Sequence, residues 1–94
     1  MSARRSKFQL SVEVLKQIKE GERKPTRIMY SANLSWKSLK EILGSLTEQG
    51  LIDEIVLSKG KKRTRRRYDI TSKGESVLRY YDEVSDLIEI EPSD

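Results

Sequence analysis

The chain has no cysteine and no histidine in 94 residues. Without cysteine there are no disulfides and no thiolate metal sites, and nothing points to an oxidising compartment. The absence of histidine removes both the commonest general acid or base and the commonest nitrogen ligand for metals. Asp, Glu, Lys, Tyr and Ser remain, but no paired-carboxylate, nucleophile-elbow or phosphate-loop spacing occurs among them. The expectation is therefore a protein that is not an enzyme and that carries no cofactor, metal or small-molecule ligand. No apolar run is long enough to span a bilayer, and the basic N-terminal "MSARRSKF" is not followed by the apolar stretch of a secretory signal. A cytoplasmic location away from membranes is the expectation. Aromatics are scarce too, with one Trp, one Phe and four Tyr, so a small core must be built mostly from aliphatic side chains.

Charge is abundant and unevenly spread. The net charge is +4, yet residues 1–74 carry a net +10 and residues 75–94 a net −6. Seven of the nine residues from Lys59 to Arg67 are Lys or Arg. So many cations in one stretch repel one another unless an anion relieves them, which points to a polyanionic partner. Two such residues would suffice to discourage edge-to-edge strand pairing; seven exceed that purpose.

Periodicity organises the rest. Residues 1–7 form a flexible basic arm. Phe8, Val12, Leu15 and Ile18 follow helical spacing to about Glu20, and Gly21 stops that helix. After Pro25, "TRIMYSAN" is a short second helix, with Thr26 at its cap or in its first turn and Ile28, Met29 and Ala32 on its apolar side. In "LSWKSLKEILGSLTEQG", Ser35 is an N-cap, and Leu34 and Leu39 have the spacing of a hydrophobic staple. Leu39, Ile42, Leu43 and Leu46 recur at i, i+3, i+4 and i+7, and Gly50 supplies the left-handed stop. This third helix spans about 36–49, and with the second it forms a helix-turn-helix. "LIDEIVLS" and "RRYDIT" are strand-like, with Val56 breaking the alternation of the first, and Gly60 can turn the chain between them. Tyr68 and Ile70 share one face of the second strand, while Arg63, Arg65, Arg67 and Asp69 share the other. A helix-turn-helix followed by a hairpin is a winged helix, and the basic run is the tip of its wing.

Thr71 or Ser72 caps a last helix, with Glu75 as a capping-box partner of Ser72, and the helix runs from Ser72 to about Ile90. Val77, Tyr81, Val84 and Ile88 form a stripe that Leu78, Tyr80 and Leu87 widen. Its far half outreaches the domain. Pairing with a second copy through Val77, Tyr81, Val84, Leu87 and Ile88 is the expected cover, and a helix folded back on the first helix is the alternative.

In that order of elements, the chain resembles the small archaeal winged-helix DNA-binding proteins that dimerise through an antiparallel coiled coil of their last helix. The resemblance rests on Thr26-x-Ile28-Met29-Tyr30, Leu34-Ser35 before the aromatic Trp36, Leu39, Leu43 and Leu46, Gly50-Leu51-Ile52, and Tyr68-x-Ile70-Thr71-x-Lys73-Gly74. It covers about residues 8–90. It departs at Ile42, where an aromatic is frequent, and in a longer, more basic wing. The resemblance implies a mainly helical winged helix-turn-helix fold over 8–71 and a dimerisation helix over 72–91, with a short tail at 92–94. It also places Trp36, Lys37 and Lys40 at the DNA end of a recognition helix.

The lysines also follow from position, since helix N-termini favour phosphate. The expected partner is double-stranded DNA, met by Trp36, Lys37 and Lys40 and by Lys59, Lys61, Lys62, Arg63, Arg65, Arg66 and Arg67 of the wing. A nucleoid-associated homodimer, regulatory or architectural, is the leading reading. A protein-interaction module and an RNA-binding winged helix compete with it.

Overall fold

In the computed structural model, which describes residues 6–59 and 64–87, four helices and one hairpin follow in the order α1 (Lys7–Lys19), α2 (Pro25–Ala32), α3 (Trp36–Glu48), β1 (Ile52–Lys59), β2 (Thr64–Ile70) and α4 (Ser72–Leu87). The expected residues Lys61, Lys62, Arg63 and Ile88, the arm up to residue 5, and the extension of the last helix to residue 90 lie outside the described residues.

Helix α1 begins one residue before the expected Phe8, at a reciprocal cap. The Ser6 hydroxyl accepts the Gln9 amide at 3.1 Å, and the Gln9 side chain accepts the Ser6 amide at 2.8 Å. Its buried residues are Val12, Val14, Leu15 and Ile18, whereas Phe8 is 61% exposed. The expected stripe was thus misplaced at its start. Helix α1 packs against α2, α3, α4 and β2, so it buries a wider arc than a surface helix would, and Val14 falls inside that arc.

Proline stands at the first position of α2, where its missing N–H is one of the amides left without an intrahelical partner in any case. Asn33 ends the helix in the left-handed region at φ 55°, and the Leu34 amide returns to the Met29 carbonyl at 3.0 Å. Only Leu34 and Ser35 separate this stop from α3, which makes the turn tight. The Ser35 hydroxyl accepts the Ser38 amide at 3.1 Å. Leu39, Ile42, Leu43 and Leu46 are all buried, and Gly50 takes φ 77° just past the Gln49 C-cap. Cap, apolar stripe and stop residue therefore agree with one another across α3, which is one residue shorter than expected.

The strands pair antiparallel from Ile52 opposite Ile70 to Lys59 opposite Thr64, with a register shift between Val56 and Ser58. Leu57 is the extra residue of a β-bulge. The bulge explains why alternation fails in β1, since both Val56 and Leu57 emerge on the surface. At the core end, Tyr68 and Ile52 are buried and Ile70 packs beside them.

Helix α4 is capped by Thr71 and not through Ser72. The Thr71 hydroxyl accepts the Gly74 amide at 3.0 Å and donates to the Gly50 carbonyl at 2.7 Å. The third residue after the cap is then Gly74, so the expected Ser72–Glu75 capping box does not form. Leu78 is the deepest residue of the helix, and Val77 and Tyr81 pack against the same core. Tyr80, expected to widen the apolar stripe, is 70% exposed. The Phe8 and Tyr81 rings lie 5.8 Å apart at 54°, and the Lys16 ammonium is 3.8 Å from the Asp82 carboxylate. Through these contacts α4 lies along α1 as far as Asp82.

Candidate nucleic-acid interface

The helix-turn-helix and the hairpin leave an open groove of about 980 Å3 between them. One wall is the exposed side of α3, with Trp36, Lys40 and Gly44. The other is the hairpin, with Glu54, Leu57, Arg66 and Arg67, and Arg23 and Lys24 of the α1–α2 connector also line it. Five cationic side chains therefore converge on one groove.

The N-terminus of α3 opens at its mouth. The Ser35 hydroxyl satisfies the Ser38 amide of its first turn. Trp36, the first helical residue, is 51% exposed and lines the groove. Lys37 and Lys40 are exposed, and of these two Lys40 lines the groove itself. Opposite Trp36, the bulged Leu57 is 54% exposed, so the groove has apolar surface on both walls and cations around it.

The arginines at the base of the wing are not bare cations. Arg66 Nε lies 3.6 Å from Glu54 Oε2, and the same oxygen accepts the Tyr68 hydroxyl at 2.7 Å. Burial, reinforced by that carboxylate acceptor, pushes the Tyr68 phenol up to about 12. Arg67 Nη2 donates to Asp69 at 3.3 Å, and Arg23 Nε donates to the other oxygen of Asp69 at 2.7 Å. The Arg23 hydrogen bond is the main reason that the Asp69 carboxyl titrates below its ordinary range. Arg67 Nε is buried with no partner among the described residues.

Of the expected nucleic-acid residues, Trp36, Lys40, Arg66 and Arg67 line this single groove, and Lys37 lies one turn from Lys40 outside its lining. Lys59 and Arg65 occupy strand positions in β1 and β2. Arg23, Lys24, Glu54 and Leu57 were not anticipated. Arg23 reads as part of a polar connector, and its partner Asp69 is 46 residues away, so no local pattern announces the pair. Of the expected dimerisation residues, Val77 and Tyr81 rest on the protein's own core, Val84 is half-buried, and Leu87 is the last residue of α4. No helix among the described residues is long and apolar enough to cross a membrane.

Comparison with known proteins agrees with this fold. The family described as winged helix-turn-helix matches residues 4–89. Over 87 residues the chain is 37% identical to the uncharacterised protein MJ0290 of Methanocaldococcus jannaschii, covering 93% of this chain and 37% of that protein. A second protein of that organism, the uncharacterised MJ0287, is 33% identical over 93% of this chain and 77% of its own length. The crystal structure of Bacillus subtilis PadR in complex with operator DNA shares the fold, with a TM-score of 0.70 at 20% identity over 90% of this chain and 50% of that one. The chain belongs to the winged helix-turn-helix family.

Proposed function

We propose that the protein binds double-stranded DNA as a homodimer and acts as a transcriptional regulator or an architectural protein. The observation that carries this reading is the convergence of Lys40, Arg66, Arg67, Arg23 and Lys24 on the groove between α3 and the wing. Lys37 and Lys40 neutralise phosphates at the N-terminal turns of α3, where the helix dipole adds to their effect. Trp36 packs against the sugar–phosphate edge. Lys59, Lys61, Lys62, Arg63 and Arg65, with Arg66 and Arg67, extend the contact along the wing, so that backbone contacts outnumber base contacts and affinity exceeds sequence preference. That the fold is shared with a PadR protein crystallised on operator DNA supports the choice of partner. The second copy is held through α4 by Val84, Leu87 and Ile88, flanked by Val77 and Tyr81. The net −6 of residues 75–94 keeps that end away from DNA and turns both wings to one side.

The test is a fluorescence-anisotropy titration of duplex DNA, duplex RNA and random-sequence DNA with the wild type and a Lys37→Ala/Lys40→Ala variant. The expected result is binding of duplex DNA by the wild type and about tenfold or greater weakening in the variant, at about 1 kcal/mol per lost phosphate contact. Binding to neither nucleic acid at moderate salt would move the assignment to an acidic protein partner, and preference for RNA would move it to A-form duplexes.

A further inference from the structure

The groove that gathers five cations also holds one carboxylate among the described residues that line it, Glu54. Like charges are normally kept off a phosphate-binding surface. The acid is also fixed in place. Its Oε2 accepts the hydroxyl of Tyr68, a side chain only 6% exposed, at 2.7 Å. A phenol is protonated at neutral pH, and burial pushes this one further up, so the O–H remains the donor. A carboxylate serving only as a solvated counter-charge would be free to turn outward, and this one is pinned facing the groove. Stability calls for an acceptor for the Tyr68 hydroxyl, which a neutral side chain could also supply, and not for the charge. Arg66 Nε is 3.6 Å away, beyond good hydrogen-bond geometry, and both side chains are well exposed, so the pair contributes little to folding.

Resting on the DNA-binding reading above, we infer that Glu54 sets the affinity threshold of the groove by penalising contact with phosphate. A phosphate entering the groove meets the carboxylate's repulsion and must draw Arg66 away from it, so any duplex pays that cost regardless of sequence. Only a duplex that offers further favourable contacts, to α3 or through its shape, recovers it. The penalty is the same for every duplex, so it lowers affinity without changing the order of preference, and it restrains a wing whose cations would otherwise hold any duplex tightly.

The experiment compares the wild type with Glu54→Gln, which retains an oxygen to accept the Tyr68 hydroxyl while losing the charge, and with Glu54→Thr, which suits a strand if Gln loosens the hairpin. Glu83→Gln, on the exposed face of α4, controls for net charge. On random-sequence duplex, either Glu54 variant should bind about threefold to tenfold more tightly, as expected for one charge removed at close range. Its salt dependence should steepen by about one, as expected for one more phosphate fully neutralised. Glu83→Gln should match the wild type. Arg66→Gln should cost more in the Glu54→Gln background than alone, because Arg66 is then no longer shared. Unchanged or weaker binding by folded Glu54 variants, an equal gain in Glu83→Gln, or equal losses from Arg66→Gln in both backgrounds would each overturn the inference while leaving the DNA-binding reading intact. Failure of the folded wild type and both Glu54 variants to bind any duplex at low salt would overturn both.

Discussion

Gly74 occupies a position with no room for a side chain. A Cβ there would collide with the Leu51 carbonyl and come within 2.8 Å of Ile70 Cγ1. Around it, the Lys73 ammonium donates to the Gln49 carbonyl at 2.8 Å, the Thr71 amide donates to the Leu51 carbonyl at 3.1 Å, and the Thr71 hydroxyl reaches Gly50. The Thr71-x-Lys73-Gly74 string thus ties the end of α3 to the start of α4. Gly74→Ala is expected to destabilise by about 2 kcal/mol or more, because the opposing atom is backbone and cannot turn aside; urea denaturation measures it. The string was recognisable in the sequence as a resemblance, but its reason was not, since the carbonyls it meets lie well outside any local window, 21 residues before Thr71 and 24 before Lys73 in its two side-chain hydrogen bonds. Asp69 supports a second test. Its folded pKa is depressed by Arg23 and Arg67, so its contribution is present above the unfolded carboxylate value and is lost as pH falls through the folded one. Asp69→Asn should therefore be less stable than wild type near neutral pH, by less than about 1 kcal/mol for a partly exposed pair. The gap should close as the solution is acidified below about pH 4. A constant gap across pH would show that the ion pairs are not its source.

Among the elements, α3 was legible almost to the residue because cap, apolar stripe and left-handed stop are all local signals that agree. Ser35→Ala should cost about 1 kcal/mol of stability through loss of the Ser38 amide's acceptor. Gly44 is the converse case, since a Cβ there meets nothing within 4 Å. Gly44→Ala should thus stabilise the fold by up to about 1 kcal/mol in thermal or urea unfolding. Loss of stability would mean that the helix backbone at this point is not as open as it stands here. Helix α1 was read less well, although Ser6 and Gln9 have capping-box spacing. The large apolar Phe8 drew the stripe toward itself, whereas burial follows from neighbours on several sides that no periodicity reveals. In the hairpin, the broken alternation at Val56 was visible, but its meaning as a bulge that carries Leu57 to the groove depends on the cross-strand register. The groove itself was half legible: α3 and the wing were expected to share it, while Arg23, Lys24 and Glu54 enter through long-range packing.

At the scale of the whole molecule, the charge asymmetry and the partly covered α4 combine into one arrangement, with cations at the α3–wing end and acids on the last helix. In sedimentation equilibrium the wild type is expected to be a dimer and Val84→Glu a monomer, because a buried unpaired carboxylate opposes association; a monomeric wild type contradicts the dimer. If the cations of α3 and the wing act on phosphates, the affinity for duplex DNA must depend on salt. If four to six phosphates are neutralised per protomer, log affinity should fall against log salt with a slope of roughly −4 to −5. A slope near zero would contradict that action on phosphates.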